Sequence, residues 1–156
     1  MIEPAGSAID RLVPELQAGG FMRVKSSNYQ EEFKRGDVTV AYTCGRYGEE
    51  FMCFVTDADQ FRFQISSYLE IVDPSAAAQS RALGRENDVD QLDFHHTNYA
   101  AISHGYYLTI QALLSCFLKS WPRGKSIVDG QAKERMTQCD QEVLASFDLS
   151  REQTYL

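Results

Sequence analysis

Two hydrophobic periods divide the chain. From Val38 to Cys44 apolar side chains alternate with Thr39, Ala41 and Thr43, the period of two that gives a strand two unlike faces. After a turn at Gly45-Arg-Tyr-Gly48, Phe51 to Val55 is nearly all apolar, which predicts a central strand covered on both sides. Asp57-Ala-Asp59 makes the next turn, and Phe61, Phe63 and Ile65 then alternate with Arg62 and Gln64. Upstream, Phe21 to Val24 and Tyr29 to Lys34 read as strands joined by Lys25-Ser-Ser-Asn28. Ahead of these, Ile9, Leu12, Val13 and Leu16 fall at helical spacing behind a capping signal at Ser7, and Gly19-Gly20 ends the helix.

Beyond Ile65 the period becomes that of a helix. Ser66 to Val72 reads as a short helical turn, and Asp73-Pro74 as a helix start, an N-cap acid followed by proline, with a stop at Gly84. A long helix from about Thr97 carries Tyr99, Ile102, Tyr106, Ile110, Leu113, Leu114, Phe117 and Trp121. Pro122-Arg-Gly124 is expected to break it. A last helix from about Ser126 to Phe147 uses Met136, Cys139, Val143, Leu144 and Phe147, and Ser150 to Leu156 reads as a frayed tail. The sum is one α+β domain over residues 1–156, with an N-terminal helix, an antiparallel sheet of four to five strands, and C-terminal helices packed on one face. The sheet portion spans about 1–72, an acidic connection 73–98 and the helical portion 99–149.

Composition narrows the class. With 44% apolar and 12% aromatic residues, the 156-residue chain can bury a core and is too apolar to be disordered. Its net charge of −7 argues against a nucleic-acid binder, which draws affinity from Lys and Arg on phosphates. Met-Ile-Glu-Pro-Ala-Gly-Ser lacks the basic and apolar runs of a secretory signal, so a cytoplasmic protein with reduced thiols is expected, with no membrane partner. Cys44, Cys53, Cys116 and Cys139 are too scattered for a zinc ribbon or a Cys-x-x-Cys pair. Cys44 and Cys53 would face each other across a hairpin whose turn holds Tyr47 to Glu50. Otherwise they serve as small apolar side chains.

Candidate chemistry is sparse. Asp93-x-His95-His96, with His104 eight residues on, has the residue types of a metal site. On a continuous helix, however, His96 and His104 lie about 12 Å apart along the axis, too far to share one ion. A polar cluster at a helix entrance is the simpler reading, and neither a metal nor a cofactor is expected. A cysteine nucleophile at Cys44, Cys53 or Cys116 has no recognisable signature around it. Arg35-Gly36-Asp37 reads as a turn ahead of a strand. Paired acids occur at Glu31-Glu32, Glu49-Glu50 and Asp57/Asp59, and a glycosidase reading would need two of them facing across a cleft. No catalytic residue is assigned.

Residues 1–72 carry 7 basic and 11 acidic side chains, residues 73–98 carry 2 and 5, and residues 99–156 carry 6 of each. The acidic excess therefore sits in the sheet half and the connection, where it would steer a basic partner. Glu49, Glu50, Asp57 and Asp59 at the ends of one strand, with Arg46 and Tyr47 as exposed anchors, form the expected partner-binding set.

Leu16 to Leu69 carries a resemblance. A helix ending in Gly19-Gly20-Phe21, then Phe33-x-x-Gly-Asp-Val-Thr-Val-Ala-Tyr42, then Gly45-Arg-Tyr-Gly48-Glu and an apolar strand, resembles small bacterial immunity proteins that neutralise polymorphic or contact-delivered toxins. It covers about a third of the chain. The resemblance implies a compact, non-catalytic protein that binds a cognate toxin domain, often a basic nuclease, and occludes its active site. It transfers no interface residue by position. The alternatives are a secretion chaperone or adaptor that uses the long Tyr99 to Trp121 helix as groove or dimer interface, and a small enzyme built around Asp93, His95, His96 and His104.

Overall fold

The computed structural model describes residues 1–46, 51–86 and 99–154. Helix α1 (Ala5–Ala18) leads into five strands, β1 (Met22–Ser26), β2 (Gln30–Arg35), β3 (Val38–Thr43), β4 (Met52–Thr56) and β5 (Arg62–Gln64). Four helices follow, α2 (Ile65–Val72), α3 (Pro74–Glu86), α4 (Tyr99–Ile127) and α5 (Gly130–Thr154). The strands pair in sequence order, all antiparallel, so the sheet is a meander with β1 and β5 at its edges. The expected α+β architecture, a helix, a sheet and then helices, is the one found.

Local chemistry sets the joints. Gly20, at φ 84°, closes α1: its N–H donates to the Gln17 carbonyl at 3.0 Å, and the Phe21 N–H donates to the Leu16 carbonyl at 2.9 Å. That pair of bonds needs a left-handed residue, and glycine takes it without a Cβ penalty. Arg35 then donates to the Gly19 carbonyl at 3.0 Å and lies over the Phe21 ring, which ties the end of α1 to β2. Gly36, at φ 58°, supplies the left-handed first position of the two-residue β2–β3 turn, so Arg35-Gly36-Asp37 is a hairpin turn, with Asp37 paired to Lys125 on α4. Asp73 caps α3 by accepting from the Ala76 N–H at 3.1 Å. At α1, in contrast, the cap position is Pro4, and the Ser7 hydroxyl donates to Glu3 instead of capping the helix.

Register assigns the faces. Phe33, Val40 and Val55 stand in one row of partners, and Phe63 extends it on β5. These side chains are fully buried together with Ile9, Leu12 and Leu16 of α1, Tyr68 and Leu69 of α2, and Ile102, Tyr106, Ile110, Leu114, Phe117 and Trp121 of α4. The opposite face carries Lys34, Thr39, Thr56 and Arg62 in one row and Glu32, Ala41 and Phe54 in the next. Burial in β4 alternates, with Cys53 and Val55 inside and Met52 and Phe54 half-buried. Its apolar sequence therefore does not mean cover on both sides. β4 lies next to the edge strand, and the Arg62 guanidinium, 4.2 Å over the Phe54 ring, shields the outward aromatic.

The largest departure from expectation is α4, which continues through Pro122 and Gly124. An interior proline costs about 3 kcal/mol, and packing on both sides of the segment offsets it. Tyr68, Phe117 and Trp121 form a buried aromatic triangle with centroids 5.1 to 5.7 Å apart, joined by Phe63. Tyr68 fits against the backbone of α4 because residue 124 has no side chain, and its hydroxyl reaches Ser120 Oγ at 2.9 Å. Three other boundaries shift. Ile65 opens α2 instead of ending β5, α3 runs two residues past Gly84, and α5 begins at Gly130 behind Asp129 and extends through the expected tail to Thr154.

Helix α5 is held by Ala132 and Met136 in the core, by Lys133 over the Phe61 ring, and by Asp140 at the start of α2. Asp140 accepts from the Ser67 hydroxyl and from the Gln64 N–H at 3.3 Å, so a carboxylate from one helix serves the N-terminus of another. Burial raises its pKa above the ordinary carboxylate value, although both hydrogen bonds pull it down. The folded state thus favours the protonated form, and this group's contribution to stability is complete below the ordinary carboxylate pKa and is lost as pH rises through the raised one. Asp140→Asn, which stays neutral, should gain stability relative to the parent between about pH 4 and pH 7. Urea unfolding of both proteins across that range measures the difference.

Candidate functional site

Of the six residues expected to bind a partner, Arg46, Asp57 and Asp59 fall among the described residues, and Tyr47, Glu49 and Glu50 lie outside them. Arg46 and Asp59 are exposed. Asp57 is not a surface acid. It is 6% exposed, its Oδ1 accepts from the Asp59 N–H at 2.9 Å and the Phe61 N–H at 3.0 Å, and its own N–H and carbonyl bond Phe61 and Gln60. The side chain organises the β4–β5 turn, in which Gln60 adopts φ 63°. Asp57→Ala should therefore cost about 2 kcal/mol, because two partly buried turn amides lose their acceptor. Chemical denaturation measures that loss, and partner affinity should change far less once the protein is folded.

The two turns lie at opposite ends of β4, five residues or about 16 Å apart. A partner that touches both must cross the sheet's outer face. That face is mixed: Lys25, Lys34 and Arg62 stand beside Glu32, with Thr39, Thr43, Met52, Phe54 and Thr56 half-buried among them. Much of the sheet's acidic excess serves internal contacts. Glu31 is 3% exposed on the core side, accepting from Ser26 Oγ at 2.7 Å with the Arg23 Nε at 3.0 Å. Glu15 accepts from Tyr107 and Gln111 of α4, Glu70 pairs with Arg81, and Asp37 pairs with Lys125. Net charge alone located these acids in the right half of the chain but gave no view of their partners.

The cysteines fall into the core reading where the structure describes them. β3–β4 pairing sets Cys53 opposite Tyr42, so Cys44 and Cys53 do not face each other, and none of the four cysteines is in a disulfide among the described residues. Burial pushes the Cys53 thiol far above its ordinary value, which removes the thiolate a nucleophile needs. The phenol of Tyr42, fully buried beside it, is pushed up for the same reason.

Asp93, His95 and His96 lie outside the described residues. His104 lines a cleft of about 390 Å³ between α1 and α4, with Glu3, Ser7, Arg11, Tyr99 and Ser103. Its Nδ1 accepts from Arg11 at 2.9 Å, which places any ring proton on Nε2, and Arg11 stacks 3.9 Å over Tyr107. Ser7 donates to the Glu3 carboxylate and not to the imidazole. Among the described residues no group of three or more His, Cys, Asp or Glu is placed to hold a metal ion, and no helix is long and apolar enough to cross a membrane.

The signal missed in sequence is apolar exposure. The large apolar side chains that stand exposed are Met22 at 73%, Val24 at 55%, Tyr29 at 47% and Tyr99 at 49%. The first three belong to β1 and the turn after it. Comparison of the chain with protein-family models, curated proteins and solved structures found no match in any of the three.

Proposed function

We propose that this domain is a non-catalytic protein-binding module that neutralises a cognate bacterial toxin domain by covering its active site. The toxin is the partner implied by the resemblance over Leu16 to Leu69. The observation that carries the binding reading is the exposure of Met22, Val24 and Tyr29 along the β1–β2 hairpin at the edge of the sheet. Several large apolar side chains left in water on one hairpin are unfavourable there and suit a surface that meets another protein. Met52 and Phe54, half-buried, add apolar area on the outer face, and exposed Arg46 and Asp59 lie toward the two ends of β4, with Tyr47, Glu49 and Glu50 in the β3–β4 connection as further contacts. The acidic turns would meet basic side chains of the toxin.

The chaperone alternative asks α4 for a free apolar face. On α4 that stripe, from Ile102 to Trp121, lies in the core, which favours the first reading. Calorimetric titration against the protein encoded beside this one tests it. One-to-one binding is expected, weakened about tenfold or more by Val24→Asp, since a charge at the centre of a buried contact is costly. Combined reversal at Glu49, Glu50 and Asp59 should slow association and flatten its salt dependence. Absence of binding, or affinity untouched by both variants, would contradict the proposal.

A further inference from the structure

We propose that the free edge of β1 takes up an extended segment of the protein partner, acidic on one face, as a sixth strand. The inference rests on the protein-binding reading above and specifies its chemistry. The strand order leaves two edges. β5 is three residues long and packs against α5, whereas β1 has five residues, all exposed, and β2 as its sheet neighbour. Among the described residues, the outer N–H and C=O groups of β1 therefore have no strand beside them, which is the arrangement that adds a strand from another chain.

The side chains say what kind of strand fits. Met22 and Val24 offer apolar contact, at 73% and 55% exposure. In the register Met22, Lys25 and Lys34 share the outer face, Arg23 stands on the core side opposite Phe33, and Val24 falls at the irregular step between Arg23 and Lys25. Arg23 is taken up by the buried Glu31, and on the outer face of β1 and β2 Lys25 and Lys34 outnumber the one acid there, Glu32, which accepts from Gln30 Nε2 at 2.5 Å. A protein of net charge −7 thus presents a cationic edge.

That charge selects among occupants. A second copy pairing along the same edge would bring its own Lys25 and Lys34 onto the same outer face, and like charges across a strand pair destabilise it. The irregular register between Arg23 and Lys25 adds a bulge that hinders a flat self-pairing. Both devices protect against self-association. The charge does not oppose an incoming strand whose acids lie on the outer face beside Lys25 and Lys34.

The test uses the full chain and two synthetic peptides of about eight residues, the length of a typical strand. One alternates valine with glutamate and the other valine with lysine. Amide hydrogen exchange and chemical shifts are followed by NMR. The glutamate peptide should slow exchange and move resonances along Met22–Ser26, and the lysine peptide should not. Lys25→Glu and Lys34→Glu replace exposed residues and should keep the parent fold, checked by circular dichroism. Each should weaken the glutamate peptide about threefold or more. An unchanged β1, an equal response to both peptides, or a dimer joined through β1 would overturn the proposal. A second arm separates it from the toxin reading. If the neighbouring gene product binds and the β1 amides stay unprotected in the complex, strand addition fails and toxin binding stands. If that product does not bind while the glutamate peptide protects β1, the toxin reading fails and the edge site stands.

Discussion

Gly124→Ala should destabilise the domain by about 3 kcal/mol, although alanine is the better helix former by about 1 kcal/mol. A Cβ at position 124 would collide with the Tyr68 hydroxyl and fall 2.6 Å from Cζ and 2.8 Å from Cε2 of that ring. The ring cannot retreat cheaply. It is fully buried between Phe63, Phe117 and Trp121, and moving it gives up the bond to Ser120. The same substitution made in a Tyr68→Ala background should change sign and stabilise, since only the helix preference then remains. Urea unfolding of the four proteins in that cycle gives the coupling directly. A loss that persists without Tyr68 would mean that the close approach is not its cause.

Phe117→Ala is the second large effect, about 3 to 5 kcal/mol. Phe117 has no exposed surface and stands edge-on to Tyr68 at 5.4 Å and tilted against Trp121 at 5.1 Å, at the centre of the layer that joins α2 to α4. Truncation removes the transfer free energy of the ring and leaves a cavity between two helices that are fixed at other points. Thermal unfolding should fall by about 10 °C or more in a chain of this length. Tyr99→Ala, a large exposed aromatic on the same helix, is the internal control and should move stability by no more than about 0.5 kcal/mol.

The sheet was legible because its strands bury one face. Val38 to Thr43 alternates in sequence and, apart from the buried Ala41, in burial, and the glycines at 20 and 36 mark positions where the backbone turns left-handed. What escaped was any feature decided by residues distant in the chain. Pro122-Arg-Gly124 reads locally as a break, yet Tyr68, more than fifty positions earlier, makes Gly124 a packing site inside a continuous helix. Asp57 and Asp59 look alike in sequence, and hydrogen bonding turns one inward and leaves the other at the surface. Cys44 and Cys53 are symmetric about the hairpin on paper, but the pairing of Tyr42 with Cys53 separates them.

The candidate site was less legible than the fold for the same reason. Counting charges located an acidic half, but Glu31, Asp37 and Glu70 are each claimed by a cation of the same domain. Met22 and Val24 carry no sign in sequence that their strand is an edge. Alternation in β1 would suit a half-buried strand equally well, and only the strand order leaves these side chains in water. A surface of this kind is found by asking which apolar residues the fold fails to cover, not by searching for a motif.

Hydrogen exchange of the domain alone and in complex with the protein encoded beside it is the most direct test that the open side of the sheet is the binding surface. The account predicts one-to-one binding with new protection in β1 and across the outer face of β2 to β4, and with α4 and α5 unchanged. No complex, or protection confined to the helical layer, would contradict it.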